Sequence, residues 1–331
     1  MNIRLWLTLL AGISISGPAM AQQVGGPQPG RTYKIGYSQI VDHPALNATR
    51  AGFLEALKEA GFIEGKNLKF DYLNAQGDVA NARNIAEKFI ADQVDLIAPC
   101  TTPNVQAAIR LTKGATIPVA FGCVTNPVES GILAALDKPT GTNVSGIYGI
   151  PPVAKMFDLL LRLHPKAKIV GTIYNPSEAN SVAMNALAKA EAVRRGLTWA
   201  EVQVTSSAEL LNSTEALVTK ADTLLMPQDN TVASGFDAVV RIARYNKVPL
   251  FSFDTAAVQR GAIASFAQNQ HQAGVDWARE IAIPILLGTP AGSITPVAYK
   301  AYDLALNKTA AKESDVTLPA DLIASAIKVF D

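Results

Sequence analysis

The sequence lacks the motifs that mark common catalytic, nucleotide-binding and metal-binding sites. It contains no GxxxxGKS/T loop, no GxGxxG after a strand, no GxSxG elbow and no HExxH pair. The three histidines, His43, His164 and His271, are scattered, and no spacing of cysteine and histidine suits zinc. We therefore expect no cofactor, no metal centre and no enzymatic activity, which favours a protein that binds a ligand without changing it.

The sequence also lacks an excess of charge of either sign. It has 29 lysine and arginine residues against 28 aspartate and glutamate residues, and loss of residues 1–21 would remove only Arg4 from this balance. The remaining chain would be neutral, and it has no basic cluster. Because nucleic-acid binding depends on such a cluster, we expect no nucleic-acid partner.

Long apolar runs are lacking too, since no segment reaches the roughly 18 uninterrupted apolar residues of a membrane-spanning helix. The N-terminus instead has the features of a secretory signal: Arg4, a short apolar run over 5–15, and the small-x-small site Ala19-Met20-Ala21. We expect cleavage after Ala21 and export, with an uncleaved membrane anchor as the alternative. Residues 22–30, QQVGGPQPG, are then expected to form a flexible lead-in.

A three-part repeat is the strongest pattern that is present. Each part has a counterpart in the same order in the second half: IGYS (35–38) with VGTIYN (170–175), VDLIAPCTTP (94–103) with ADTLLMPQDNT (221–231), and TIPVAFGCVTNP (116–127) with KVPLFSFDTAA (247–257). A chain of 331 residues also exceeds one comfortable core. The repeat therefore predicts two similar domains.

The repeated segments are short apolar runs, and helical patterns lie between them, over 44–61, 78–92, 103–113, 178–195, 207–219 and 231–246. Continuous apolar strands that are each followed by a helix indicate a parallel sheet covered on both faces. We therefore predict an α/β protein with two doubly wound parallel-sheet domains. One larger sheet is the alternative, and the restart of the whole order near residue 168 argues against it.

Polar residues follow nearly every predicted strand. In doubly wound sheets, ligands bind beyond the carboxyl ends of the strands. Helix starts favour the same amino acids as caps, so each position taken alone is better explained as a cap. Two polar rims that face each other favour a ligand cleft, and the candidate binding residues are Ser38, Gln39, Asp42, Thr101, Thr102, Thr125, Asn126, Asn180, Ser181, Asp229, Asn230, Thr231 and Asp254.

An amino-acid ligand would need a partner for its carboxylate and one for its ammonium group. Hydroxyls and helix N-termini suit the carboxylate, which favours Thr101, Thr102 and the Asn180-Ser181 pair. A desolvated ammonium needs an acid.

That acid is either Asp229 or Asp254, and we favour Asp229, with Asn230 and Thr231 orienting the ligand. The alternative role for Asp229 is to cap the helix predicted over 231–246.

The two cysteines, Cys100 and Cys123, each end a predicted strand of the first half. Those strands should be neighbours, and an exported protein enters an oxidising compartment, so a disulfide could form between them. Two small buried thiols are the alternative, and we slightly favour the thiols.

The opening of the first domain resembles that of the tryptophan/tyrosine-type family of ABC-transporter substrate-binding proteins, which have the type I periplasmic-binding fold. It reads DHPALNATRAGFLEALKEAGFIEGKNLKFDYLNAQGD (42–78). Later stretches match in order: IPVAFGCVTNPVESG (117–131), IYNPSEANS (173–181), PQDNTV (227–232), RGAIAS (260–265) and the tail YDLALNKTAAKESDVTLPADLIASA (302–326). The resemblance covers nearly all of 31–331; the chain departs from it at Cys100, at Cys123 and in FAQNQHQAG (266–274).

The resemblance implies capture of a small solute, here an aromatic or other apolar amino acid, and its delivery to a membrane permease. It also implies chain crossings between two domains near 144–150, 267–270 and 290–296. The N-terminal domain would then span 31–146 plus 270–289, and the C-terminal domain 147–269 plus 295–331.

We therefore expect a monomeric periplasmic component of an ABC importer that buries its ligand by hinge closure. One alternative is a sensor of the same fold that signals to a chemoreceptor or a histidine kinase. Another is a periplasmic hydrolase that uses His43 with a nearby acid.

Overall fold

A computed structural model describes residues 26–331, so the predicted signal peptide and the first part of the lead-in lie outside the described residues. The strands are β1 (Tyr33–Gln39), β2 (Leu68–Asn74), β3 (Leu96–Cys100), β4 (Val119–Val124), β5 (Val144–Tyr148), β6 (Ile169–Tyr174), β7 (Thr198–Gln203), β8 (Thr223–Met226), β9 (Leu250–Ser252), β10 (Ala264–Gln268), β11 (Val297–Ala298), β12 (Tyr302–Asn307) and β13 (Lys328–Phe330). The helices are α1 (Pro44–Glu59), α2 (Val79–Ala91), α3 (Thr102–Leu111), α4 (Val153–Leu163), α5 (Ala179–Arg194), α6 (Leu210–Val218), α7 (Asn230–Ser234), α8 (Phe236–Tyr245), α9 (Thr255–Arg260), α10 (Gln270–Trp277), α11 (Ile283–Leu286), α12 (Lys308–Glu313) and α13 (Ala320–Ser325).

The strands form two separate sheets with the same internal order. The first sheet runs β11-β5-β4-β3-β1-β2, and the second runs β13-β12-β10-β9-β8-β6-β7. Every strand pairing in the first sheet is parallel, and in the second only β10 and β12 are antiparallel. The prediction of two doubly wound α/β domains is confirmed, and the alternative of one larger sheet is wrong.

The three-part repeat corresponds to equivalent strands of the two sheets. Strands β1, β3 and β4 occupy the same places in the first sheet as β6, β8 and β9 occupy in the second. The strand order reverses direction between β1 and β3, and again between β6 and β8. In open α/β sheets these switch points are where ligands bind, so the turns that follow these four strands are the ones to examine.

Helix α10 packs so closely on α1 that only glycine fits at the contact. A Cβ atom on Gly274 would lie 1.9 Å from the carbonyl oxygen of Thr49, and one on Gly52 would lie 2.0 Å from that of His271. Trp277, at the end of α10, is fully buried, with its ring centroid 4.5 Å from that of Phe53. The segment that follows β10 therefore returns to the core of the first sheet.

The third crossing of the chain between the two sheets lies later in the sequence than expected. Val297 and Ala298 pair with Ile147 and Tyr148 at the edge of the first sheet, although the sequence assigned 295–331 to the second domain. The third crossing thus follows β11 instead of lying near 290–296. Tyr148 likewise belongs to the first sheet, while the other domain limits stay a prediction.

The helix expected over 231–246 is interrupted at Gly235, which separates α7 from α8. A Cβ atom at this position would lie 2.6 Å from Cδ1 of Leu210 in α6, so a larger residue would require that side chain to shift. Within residues 26–331, no helix combines the length and the apolar character that crossing a membrane would require.

Candidate functional site

A cleft lies between the two sheets, at the carboxyl ends of their strands. The space not filled by atoms is about 770 Å³, including the part that is open to solvent. Its lining comes from turns and helix starts of both sheets and consists of His43, Pro44, Ala45, Leu46, Thr101, Cys123, Val124, Thr125, Asn180, Met226, Pro227, Gln228, Asp229, Asn230, Val232, Ala233, Phe236, Ser252, Asp254, Ala256, Ala257, Arg260, Gln268 and Gln270.

Two polar side chains of the first half line this cleft, and each has one atom without a hydrogen-bond partner among residues 26–331. They are His43, just before α1, and Thr101, just before α3, so they follow the strands on either side of the first switch point. Nδ1 of His43 and Oγ1 of Thr101 are buried and make no hydrogen bond to any described residue. Because an unsatisfied buried polar group is costly, both atoms are available to a ligand.

Asn180 supplies a third such atom from the second half. Its Nδ2 donates to the carbonyl oxygen of Gln228 at 3.0 Å and to Oε2 of Glu178 at 3.4 Å. These two acceptors fix which end of the amide carries the NH2 group. Oδ1 of Asn180 is therefore a genuine acceptor, and it is buried without a partner in the described part of the chain.

Asp254 caps α9 and keeps one carboxylate oxygen unused by described residues. Its Oδ1 accepts from the backbone N–H of Ala256 at 2.9 Å, whereas no described donor bonds to Oδ2. Burial raises the pKa of Asp254, and the nearby charges of His43 and Arg260 act against this rise. Burial also lowers the pKa of His43, against the effect of Asp254. A cationic ligand group would stabilise the charged form of the Asp254 carboxylate.

Asp229 is held by three protein donors. Oδ2 accepts from the backbone N–H of Asn175 at 2.6 Å and from the hydroxyl of Ser181, and Oδ1 accepts from the N–H of Val232 at 2.8 Å. The last bond is the N-cap of α7. Both oxygens of Asp229 thus hold the polypeptide around the cleft.

Glu178 makes a second brace for the start of α7. Its Oε1 accepts from the backbone N–H and the hydroxyl of Thr231, at 3.0 and 2.8 Å, and its Oε2 accepts from the backbone and side-chain N–H groups of Asn230. Burial, followed by the charge of Glu178, raises the pKa of Asp229 to about 7. Two acids therefore share one buried site beside the cleft.

The side of the second sheet also contributes apolar residues to the wall of the cleft. Met226, Val232 and Phe236 are almost fully buried, and all three line the cleft. Arg260 also lines it, with its guanidinium carbon 5.4 Å from the ring centroid of Phe236. A ligand here would meet polar groups from both halves and an apolar surface from one.

One hydrogen bond within the cleft joins the two halves. Oγ1 of Thr125, after β4, donates to Oε1 of Gln228, after β8, at 3.3 Å. Nε2 of Gln228 in turn donates to the carbonyl oxygen of Phe253 at 3.2 Å. The bond can exist only while the two halves lie close together.

Of the residues singled out from the sequence, Thr101, Thr125, Asn180, Asp229, Asn230 and Asp254 line the cleft. Seven others do not, namely Ser38, Gln39, Asp42, Thr102, Asn126, Ser181 and Thr231. Ser181 and Thr231 support Asp229 and Glu178, as described above.

Asp42 and Gln39 hold a separate network near Arg50. Asp42 accepts from Tyr72 and Asn74, each at 2.7 Å, and Oε1 of Gln39 accepts from Arg50 at 2.8 Å. Ser38 lies in β1 opposite Pro99 of β3, and the side chain of Asn126 accepts a turn bond from the N–H of Glu129. Thr102 is buried beside Thr101. Direct contact of any of these residues with ligand stays a prediction.

The two cysteines form a disulfide between the ends of β3 and β4. The expectation of two free thiols is therefore wrong. The register of β3 against β4 places Cys100 opposite Gly122, so the next residue, Cys123, lies at a Cα–Cα distance of 5.0 Å from Cys100. That spacing lies within the range that a disulfide requires. Cys123 lines the cleft, whereas Cys100 is fully buried.

Several residues that line or support the site are not predicted from the sequence. Gln228 and Glu178 lie inside PQDNTV and NPSEANS, which the sequence did single out, but neither has the amino-acid type of a preferred helix cap. Arg260 is the last residue of α9, a helix that is only six residues long. Across residues 26–331, no group of three or more histidine, cysteine or acidic side chains could hold a metal ion.

The chain is similar to several known proteins over nearly its whole length. A family model described as ABC transporter substrate binding protein matches residues 34–330. A tyrosine-binding protein from Clostridioides difficile strain R20291 is 35% identical over 313 residues, which are 94% of this chain and 90% of that protein.

Two solved structures extend the comparison. One, from Streptococcus pneumonia, is an ABC domain in complex with L-Trp: it is 30% identical, has a TM-score of 0.86, and is matched over 90% of this chain and 100% of its own. The other is a ligand-free, open substrate-binding protein from Clostridium difficile, with 36% identity, a TM-score of 0.67, and coverage of 90% of this chain and 99% of its own.

Proposed function

Because the chain belongs to the family of ABC-transporter substrate-binding proteins, we propose that it captures an amino acid with an aromatic or other apolar side chain. The observation that carries this proposal is the set of unpartnered buried atoms described above. Nδ1 of His43, Oγ1 of Thr101 and Oδ1 of Asn180 all belong to residues that line one cleft, together with an apolar wall. A zwitterion with an apolar side chain has the groups that match both surfaces.

Within this proposal, Asp254 binds the ligand ammonium group and Oδ1 of Asn180 accepts a second hydrogen bond from it. The sequence favoured Asp229 for the ammonium, but three protein donors already occupy the oxygens of Asp229. The hydroxyl of Thr101 suits the ligand carboxylate. Arg260 adds positive charge nearby, although its guanidinium already donates to Asp237 at 2.9 Å and to the carbonyl oxygen of Ala233 at 2.6 Å. Phe236 offers an aromatic surface to the ligand side chain.

We also propose that the two halves close around the ligand by hinge motion. The described chain has a TM-score of 0.86 with the L-Trp complex and of 0.67 with the ligand-free open protein, although the latter is more similar in sequence. The Thr125–Gln228 bond between the two halves supports this reading of the described arrangement as a closed one.

ABC substrate-binding proteins are typically extracytoplasmic, and the Cys100–Cys123 disulfide suits an oxidising compartment. We propose that the mature chain begins after Ala21, acts in the periplasm as a monomer, and delivers its ligand to the membrane permease of an importer. It is a binder and not an enzyme, so a bound amino acid should be recovered chemically unchanged after hours with the protein.

Thermal unfolding of the ligand-stripped protein tests the ligand class. At 100 times its dissociation constant, a ligand stabilises the native state by about 2.7 kcal/mol, so we expect a rise of several degrees in melting temperature with L-tryptophan or L-tyrosine. Sugars, nucleosides and carboxylates without an amino group serve as controls. A rise with one of these controls, and none with any L-amino acid, would reject the ligand class.

Hinge closure is tested by the substitution Thr125→Val, which removes the hydroxyl that bonds to Gln228. We expect amino-acid affinity to fall about 5-fold, because one hydrogen bond contributes about 1 kcal/mol and this one exists only in the closed form. The matched control is Thr112→Val. The hydroxyl of Thr112, just after α3, is also buried, but it donates to the carbonyl oxygen of Ala108 in that helix. Titration calorimetry compares the two, and equal affinities would contradict closure through this contact.

A further inference from the structure

The Cys100–Cys123 disulfide forms part of the wall of the ligand cleft. It joins the carboxyl ends of β3 and β4, the strands that lead into the turns of Thr101 and Thr125. Cys123 lines the cleft, and Cys100 is fully buried behind it. A small reagent that enters the cleft therefore meets the sulfur of Cys123 first.

The backbone on both sides of this link adopts a conformation that such residues rarely take. Thr101 has a φ of 90° and Cys123 a φ of 55°, in the region that favours glycine. Residues held in this region persist only when their surroundings over-determine them. Here the disulfide and the bond from the N–H of Thr101 to the carbonyl oxygen of Gly122, at 3.2 Å, tie the two turns together.

Two of the groups that the proposed ligand site uses depend on these turns. Thr101, whose hydroxyl has no hydrogen-bond partner among the described residues, directly follows Cys100 in the chain. Thr125, two residues beyond Cys123, makes the bond to Gln228 across the cleft. Release of the disulfide would free both backbone positions to relax toward ordinary φ values, and it would move both hydroxyls.

We propose that the Cys100–Cys123 disulfide is a positioning element of the ligand site, so that its reduction weakens amino-acid binding and a bound amino acid resists its reduction. This inference rests on the proposed amino-acid site. The reductant is a small dithiol. One of its thiolates attacks the sulfur of Cys123, the sulfur–sulfur bond breaks, and the sulfur of Cys100 leaves and takes up a proton.

The second thiol of the reagent then displaces Cys123 from the mixed disulfide. The dithiol leaves as a cyclic disulfide, having supplied two electrons and two protons, and the protein holds two thiols. The chain has only these two cysteines, so the reagent has no other protein disulfide to attack.

By thermodynamic linkage, the effect of the disulfide on amino-acid affinity equals the effect of bound amino acid on the reduction of the disulfide. If the disulfide raises amino-acid affinity by some factor, bound amino acid must shift the reduction equilibrium by that same factor. We expect a factor of about 10, which corresponds to a shift of about 30 mV in the reduction potential of a two-electron couple.

The experiment measures L-tryptophan and L-tyrosine affinity by calorimetry for the oxidised protein, the dithiol-reduced protein and the double variant Cys100→Ala/Cys123→Ala. The reduction potential is measured with and without the amino acid that binds. We expect about 10-fold weaker binding in the reduced protein and in the variant, unchanged far-ultraviolet circular dichroism, and a potential that ligand makes more negative.

A matched control is Leu68→Ala, which removes a buried side chain at the amino end of β2, in the same half but away from the cleft. It should lower the melting temperature and leave affinity unchanged. Equal affinity before and after reduction would overturn the inference, as would loss of circular dichroism on reduction, because the disulfide would then support the fold and not the site. If the oxidised protein binds neither amino acid, the proposed function fails first and the inference falls with it.

Discussion

Replacement of Asp254 by asparagine is expected to weaken amino-acid binding about 100-fold. Asp254 lines the cleft, and its Oδ2 has no donor among the described residues, so the ammonium group of a bound amino acid would be its charged partner. Loss of one member of a buried, hydrogen-bonded charge pair costs about 2–5 kcal/mol. Asparagine is nearly isosteric and caps helices as well as aspartate does, so α9 should keep its start.

The pH dependence of binding gives a second readout of the same substitution. Burial holds the pKa of Asp254 above its ordinary value, and an ammonium group binds the charged form. Affinity of the native protein should therefore fall as pH drops below that raised pKa, because ligand must then displace a proton. The Asp254→Asn variant has no proton to displace at this site, so its weaker binding should lack this dependence.

The control for this substitution is Asp78→Asn. Asp78 caps α2 as Asp254 caps α9: its Oδ1 accepts from the N–H of Ala80, two residues on, at 2.7 Å. It lies outside the cleft, so calorimetry should find native affinity in this variant. Equal affinity of Asp254→Asn and native protein would show that Asp254 does not bind the ligand, and another residue would then have to bind its ammonium group.

The architecture could be predicted from the sequence because it depends on local patterns. Continuous apolar runs such as that of β3 identify buried parallel strands, and the restart at β6 identifies the second sheet. Two-residue β11 gave no such signal, since a strand this short has no period to detect. That is why the third crossing was placed too early.

The site could be predicted only as a region. Asp229 and Asp254 both precede a short helix and both satisfy the cap preference, so the sequence cannot tell which carboxylate keeps a free oxygen. The difference comes from Asn175 and Ser181, which approach Asp229 from another strand end. The disulfide likewise depends on the register of β3 against β4, which no local pattern encodes.

Replacement of Asp229 by asparagine is expected to remove a strong pH dependence of stability. Burial and the nearby Glu178 raise the pKa of Asp229 to about 7 in the native protein, whereas an unfolded aspartate titrates near its ordinary value of about 3.9. Between these two values the native state holds a proton that the unfolded state has lost. The free energy of unfolding therefore falls as pH rises from about 4 to about 7, and the full penalty is present above that range.

A shift of about three pKa units corresponds to about 4 kcal/mol, so native protein should lose up to that much stability relative to Asp229→Asn between pH 4 and pH 8. The variant should also lose a constant amount of stability at every pH, because asparagine cannot accept all three of the hydrogen bonds that Asp229 accepts. Urea unfolding at several pH values in this range separates the pH dependence of the free energy of unfolding from the constant loss of stability. Asp222→Asn, which removes a carboxylate at the opposite end of the strands, is the matched control. Parallel curves for native protein and Asp229→Asn would show that Asp229 stays charged throughout, and that its hydrogen-bond donors outweigh its burial.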